Sequence, residues 1–270
     1  MTTPPIPLPG LGTFAGTRSR GSGVASDFPE IREELLRVVR AKHESTPRNL
    51  QTTMGPSGVG HPCARSLVFD LSGRTPPANP FHDPWPSIVG TAVHSWLDDA
   101  LVQHGDGFWL SDHLIYTGSR AVPHGHLDAH HVPTQTVIDF KVLGNTTYDS
   151  SAKHPADDPY WQPGNDGGQY FVQLQTYGYG LVRAGYPVRR VGLAVFGRAK
   201  KLTSLFIRGW DFREDVATWA LRRAEAAQML AQGGLDPLAV PANPTAKGCH
   251  YCPWKGSEAD GLCDRTTEEP

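Results

Sequence analysis

Ile31, Leu35, Val38 and Val39 recur at helical spacing between residues 28 and 43, with Asp27 and Glu30 in capping-box register just ahead of them. A shorter helix is expected around Cys63, Leu67 and Phe69. Ile88, Val89, Ala92, Val93, Trp96, Leu97 and Leu101 predict a helix over 87–102 that buries these side chains. Three runs of strand character follow at 108–116, 124–132 and 136–143, the last carrying Asp139 and Lys141 among Val137, Ile138, Phe140 and Val142. A helix over 169–183, strands at 188–196 and 203–210, and an amphipathic helix over 212–232 complete the pattern. The order is helix, three strands, helix, two strands, helix, with no internal repeat.

The stretches between are punctuated rather than periodic. Residues 1–26 hold Pro and Gly, no acidic residue and no periodicity, and read as a flexible leader to one domain over 27–270. The Pro-rich segment 74–86 is expected to loop out. The polar stretch 145–168 is too long for a plain connection, which makes it a lid or a partly disordered insert. Composition agrees: 29 Gly and 24 Pro in 270 residues exceed the usual combined share of roughly 12%. No apolar run approaches the roughly 18 residues of a membrane helix. The chain also starts without the basic flank and apolar core of a secretory signal. A cytoplasmic protein (host cytoplasm, if virus-encoded) is expected, with no membrane association.

With 25 Lys+Arg against 27 Asp+Glu, the net charge of −2 excludes a broadly basic coating protein and leaves a local basic path open. Asp139 and Lys141 are two residues apart on a strand and so project from one face. Asp128, on the preceding strand, can bring a second carboxylate there. Close carboxylates repel one another, and a bound divalent cation relieves the repulsion. Oxygen ligands favour Mg²⁺ or Mn²⁺, and the imidazole of His94 on the preceding helix tilts the choice toward Mn²⁺. Lys141 would lie beside the metal, placed to orient or deprotonate a water and to stabilise developing charge. Gln173 and Tyr177, four residues apart, share a helix face that can reach the same place. Each pair is common by chance; their order, spacing and element types agree together.

The 4 cysteines are too few for a disulfide scaffold. Cys63 stands alone, while Cys249, Cys252 and Cys263 crowd the C-terminal end. Clustered thiols in a reducing compartment point to metal. Four thiolates suit a [4Fe–4S] cluster or a tetrahedral zinc, and spacing alone does not separate them. Joining positions 63 and 263 would close a very long loop, which suits a structural clasp better than an electron carrier.

In order, Gly90-x-x-x-His94, Gly125-x-x-Asp128, Asp139-x-Lys141 and Gln173-apolar-x-x-Tyr177 resemble the motifs of the PD-(D/E)xK nuclease superfamily, in its branch of RecB-type and Cas4-type exonucleases. Iron–sulfur members of that branch place one Cys upstream of the nuclease core and three downstream, as Cys63, Cys249, Cys252 and Cys263 stand here. Cys63-x-Arg65-x-Leu67-x-Phe69 resembles the family's upstream segment. One departure is the ten residues between Cys252 and Cys263, a longer spacing than the family's. The resemblance implies a restriction-endonuclease-like αβββαβ core with a mixed sheet, stapled at its ends by a [4Fe–4S] cluster in preference to zinc. It implies a DNA exonuclease using Mg²⁺ or Mn²⁺ held by His94, Asp128, Asp139 and the Phe140 carbonyl, with Lys141, Gln173 and Tyr177 as catalytic residues. Lys141 would position or activate water, while Gln173 and Tyr177 would orient Lys141 or the scissile phosphate. DNA is the implied partner, with recombination or CRISPR-adaptation proteins as others. Two alternatives stand beside this: a catalytically silent DNA-binding scaffold of the same fold, and a zinc-stapled binding module.

Overall fold

The structure is a computed structural model that describes residues 28–45, 53–77, 83–243, 249, 252–257 and 260–264. The chain divides into two units, residues 1–42 and 43–270. Helix α1 (Pro29–Glu44) begins in the first unit and closely matches the stretch its apolar spacing predicts. None of its residues is buried, and Leu35 is 60% exposed. Asp27 and the leader 1–26 lie outside the described residues.

In the second unit, α2 (Pro56–Val59), α3 (Ala64–Leu71) and α4 (Trp85–His104) precede the sheet. Strands β1 (Trp109–Tyr116), β2 (His124–His131) and β3 (Thr136–Leu143) form an antiparallel meander. The crossover through α5 (Asn145–Ala152) and α6 (Gly168–Arg183) returns the chain to β4 (Arg190–Gly197), which lies parallel to β3. Strand β5 (Phe206–Asp211) pairs antiparallel with β4, and α7 (Glu214–Gln232) follows. The result is a five-stranded mixed sheet in the order β1-β2-β3-β4-β5, and α4-β1-β2-β3-α6-β4 is the expected αβββαβ arrangement.

Both faces of the sheet are covered. On one, Leu127, Val137 and Leu193 meet Leu174, Tyr177 and Leu181 of α6. On the other, Ala129, Ile138, Phe140 and Ala194 pack with Leu97 and Leu101 of α4. Strand β4 is buried without interruption from Val191 to Val195, which explains its unbroken apolar run.

Two expectations are corrected here. Helix α4 has no fully buried residue, and Trp96 is 67% exposed. Packing engages a single stripe of α4 through Leu97 and Leu101, so its apolar content exceeds what the sheet covers. The stretch 145–168 is neither a lid nor a disordered insert. Tyr148 and Trp161 enter the main core. Arg208 of β5 donates to the Ala152 and His154 carbonyls at 2.9 and 2.7 Å, and Trp210 Nε1 donates to the Ala156 carbonyl at 2.6 Å. Aromatic anchors and satisfied carbonyls fix this segment. No described helix is long and apolar enough to cross a membrane.

Candidate active site

The site forms where β2 and β3 part. Their ladder holds Thr136, Val137 and Ile138 of β3 opposite His131, His130 and Ala129 of β2, while β3 stays paired to β4 along all of Thr136–Leu143. Beyond Ile138 a side chain takes over from the main chain: the Phe140 N–H donates to Asp128 Oδ2 at 2.7 Å. Strand β2 also rotates at this point. Leu127 and Ala129 would share a face in a regular strand, yet they pack in clusters on opposite sides of the sheet. On β1, Asp112 lies between the registered pairs Ser111–Ala129 and His113–Leu127, level with Asp128, and adopts a φ of +42°. The Asp128 carboxylate turns into the gap.

Its other carboxylate oxygen pairs with His94 Nδ1 at 3.2 Å. The His94 ring sits edge-on to Phe140, which holds it from the α4 side. From the α6 side, Lys141 forms an ion pair with Asp139 and approaches the Phe140 carbonyl at 3.4 Å. Gln173 donates to Asp139 Oδ1 at 2.9 Å and to the Tyr177 hydroxyl at 3.3 Å. Gln173 therefore reaches Asp139, and through it the lysine. All seven residues singled out from the sequence, His94, Asp128, Asp139, Phe140, Lys141, Gln173 and Tyr177, are linked by this set of contacts.

Burial gives the site its electrostatics. Asp139 is 1% exposed, and burial pushes its carboxyl up to about 6, with Lys141 opposing and the Asp128 charge adding to the rise. Burial would pull the Lys141 ammonium down, but Asp139 and Asp128 hold it above its ordinary value. Burial would also raise Asp128, yet its hydrogen bond to His94 and the nearby positive charges keep it below. With both carboxylates ionised, Lys141 offsets one of them. The other remains partly desolvated, as a cation site would have it. Oxygen donors and this residual negative charge fit Mg²⁺ or Mn²⁺. Among the described residues no three His, Cys, Asp or Glu side chains already converge as an ion cage. Asp139 faces Lys141 and Asp128 faces His94.

Gly125 and Gly90 differ. A Cβ at Gly125 would come within 2.6 Å of the Pro56 ring and 3.2 Å of Tyr177, so this glycine is fixed by packing beside the site. A Cβ at Gly90 would meet nothing within 4 Å, and the structure gives no packing reason for a glycine there. One neighbour was missed as part of the site: Tyr170, whose ring lies 5.6 Å from Lys141 Nζ. It stands one helical turn before Gln173, and that spacing was the available signal.

The cysteines gather around α3. All four cysteines line one cavity, together with Arg65, Ser66, Phe69 and Trp254. Cys63 occupies the N-cap position of α3. The Asn243 N–H donates to Cys63 Sγ at 3.5 Å and Arg65 to Cys263 Sγ at 3.3 Å, while Ser66 Oγ lies 4.0 Å from Cys252 Sγ. Burial raises the Cys252 thiol. The long spacing before Cys263 is folded away: Cys263 donates to the Trp254 carbonyl and accepts from Gly256, both at 2.9 Å. Trp254 stacks on Phe69 at 4.9 Å and donates to Asp70 at 2.6 Å, which seats this segment on α3.

Basic residues around β4 are spread along its length. Arg190 stands opposite Thr136 at one end of β3, whereas Arg198 donates its N–H to Leu143 at the other. Lys200 is held by Asp149 and lies over Tyr148.

The fold and site define a mixed α/β protein with a buried Asp–Lys–Gln centre. No known protein-family pattern matches the chain, and no curated protein matches it. Among solved structures, an alkaline exonuclease from Laribacter hongkongensis is 13% identical, with a TM-score of 0.47 over 69% of this chain and 91% of that one. The protein SSO0001 is 17% identical, with a TM-score of 0.45 over 83% and 94%. A phage-related exonuclease from Haemophilus somnus 129PT is 13% identical, with a TM-score of 0.43 over 65% and 82%. At these values the likeness assigns no activity, and the functional argument rests on the geometry of the site.

Proposed function

We propose that this protein is a DNA exonuclease of the RecB and Cas4 type that hydrolyses phosphodiester bonds in single strands or at duplex ends. The observation that carries this reading is the convergence of Asp128, Asp139, Lys141 and Gln173 on the gap between β2 and β3. His94, Asp128, Asp139 and the Phe140 carbonyl would hold one or two Mg²⁺ or Mn²⁺ ions. When bound, such an ion polarises a phosphoryl oxygen and lowers the pKa of water.

The chain's own residues do the rest. Asp128 spans His94 and the Phe140 N–H, so its carboxylate is fixed before substrate arrives. Gln173 fixes one oxygen of Asp139 and leaves the other to Lys141. The Lys141 ammonium is the group placed to hold the attacking water and to offset charge on the phosphate. Tyr170 and the sheet shield it from solvent on one side. The four cysteines are read as ligands of a [4Fe–4S] cluster, with zinc as the alternative, clasping the C-terminal segment to α3. Recombination, repair or CRISPR adaptation are the settings this activity suits.

The test compares linear and covalently closed single-stranded DNA with Mn²⁺ or Mg²⁺. Acid-soluble nucleotides from the linear form alone are expected. Equal attack on closed circles would replace exonuclease by endonuclease, and no metal-dependent release from either would overturn the reading.

A further inference from the structure

One guanidinium, that of Arg65, lines the thiol cavity beside Lys255, and a second, that of Arg223, reaches the backbone at its edge. Arg65 is 7% exposed, and its partners are the Val240 carbonyl at 2.8 Å and Cys263 Sγ at 3.3 Å. Half-buried Arg223 reaches across from α7 to the His61 and Pro62 carbonyls at 2.6 and 2.8 Å, directly before Cys63 in the chain. Among the described residues neither forms an ion pair. Burial pulls the Arg223 guanidinium below its ordinary value, and the charge of Cys63 opposes this. The nearby carboxylate, Asp70, is engaged by Trp254.

Buried charges without counter-charges are costly, and a protein retains them where something bound supplies the opposite sign. Four thiolates around Zn²⁺, or around an oxidised [4Fe–4S] core, leave the same formal charge: a dianion. Two arginines flank the two ends of the thiol set, at Cys263 and at Cys63. We propose that Arg65 and Arg223 are positioning residues that supply the counter-charge of a dianionic tetrathiolate centre. Arg65 also holds Cys263 in place, offsetting its remoteness from Cys252 in sequence. This inference rests on the four-cysteine reading and extends it to residues outside the ligand set.

The test uses the full chain reconstituted in parallel with ferrous iron plus sulfide and with Zn²⁺. Metal per chain, visible absorbance and the rate of loss to EDTA are measured for wild type, Arg65→Gln, Arg65→Lys, Arg223→Gln and Cys63→Ser. Each Gln variant is expected to lose metal roughly 10-fold faster or more, as outer-shell changes do, and Arg65→Lys to stay near wild type. In the iron arm, both Gln variants should also show a lower midpoint potential, because a lost positive charge disfavours the added electron. If Arg65→Gln does not fold by far-ultraviolet circular dichroism, Arg223→Gln carries the test. Unchanged metal loss in the folded Gln variants, or equal loss in Arg65→Lys and Arg65→Gln, overturns the counter-charge role alone. A wild type that takes up neither metal, or a Cys63→Ser variant that retains it fully, overturns the cysteine reading and this inference with it.

Discussion

Replacing Asp139 with Asn removes a carboxylate whose ionisation the fold opposes. Burial raises its pKa from 3.8 to about 6 in the folded chain. That difference amounts to roughly 3 kcal/mol at about 1.4 kcal/mol per pH unit. The sign follows from proton binding: between pH 4 and 6 the folded state holds a proton that the unfolded state has lost. Stability from this group is therefore fully present below its unfolded value and is lost as pH rises through 6. This runs opposite to the behaviour of Asp128, whose pKa is lowered. Asn at position 139 has nothing to ionise, so the variant should gain on wild type by roughly 2 kcal/mol between pH 4.5 and 7.5. Urea unfolding of both proteins across that range, without divalent ions, measures the difference directly and cancels the other titrating groups. A difference that does not change with pH would refute the claim that burial outweighs the Lys141 ion pair.

The same proton competes with metal. Mn²⁺ affinity, followed by titration calorimetry, should be nearly constant above pH 7 and weaken about 10-fold between pH 7 and 5; a flat profile would remove Asp139 from the ligand set. Gly125→Ala forces a methyl group against Pro56 and should cost about 1–3 kcal/mol in urea unfolding. Gly90→Ala, with open space around it, should instead stabilise α4 by up to about 1 kcal/mol. Loss of nuclease activity in Gly90→Ala without loss of stability would assign that glycine to substrate clearance. Gln173→Leu strands one oxygen of Asp139 and should cost about 1–3 kcal/mol; a neutral result would mean that water replaces the amide.

The site was legible because its residues sit on strongly periodic elements. Strand alternation put Asp139 and Lys141 on one face, and helical spacing put Gln173 and Tyr177 on another, as the contacts show. What alternation could not reveal is that the β2–β3 ladder ends at Ile138 and the Asp128 side chain takes over the Phe140 N–H. The crossover 145–168 was misread because its polar, Pro- and Gly-rich sequence hides anchors whose partners, Arg208 and Trp210, come from β5. Helix α4 fails in the opposite way: rich in apolar residues, it is covered on one stripe only. Arg223 carried no local signal, because α7 brings it to Cys63 through tertiary packing alone.

The central claim is that the Asp139–Lys141 pair performs phosphodiester hydrolysis. Its most direct test is a time course on end-labelled single-stranded DNA with Mn²⁺, comparing wild type and Lys141→Ala, with circular dichroism showing both to be folded. The account predicts progressive shortening by wild type and no detectable shortening by the variant. Equal rates for the two proteins would contradict it.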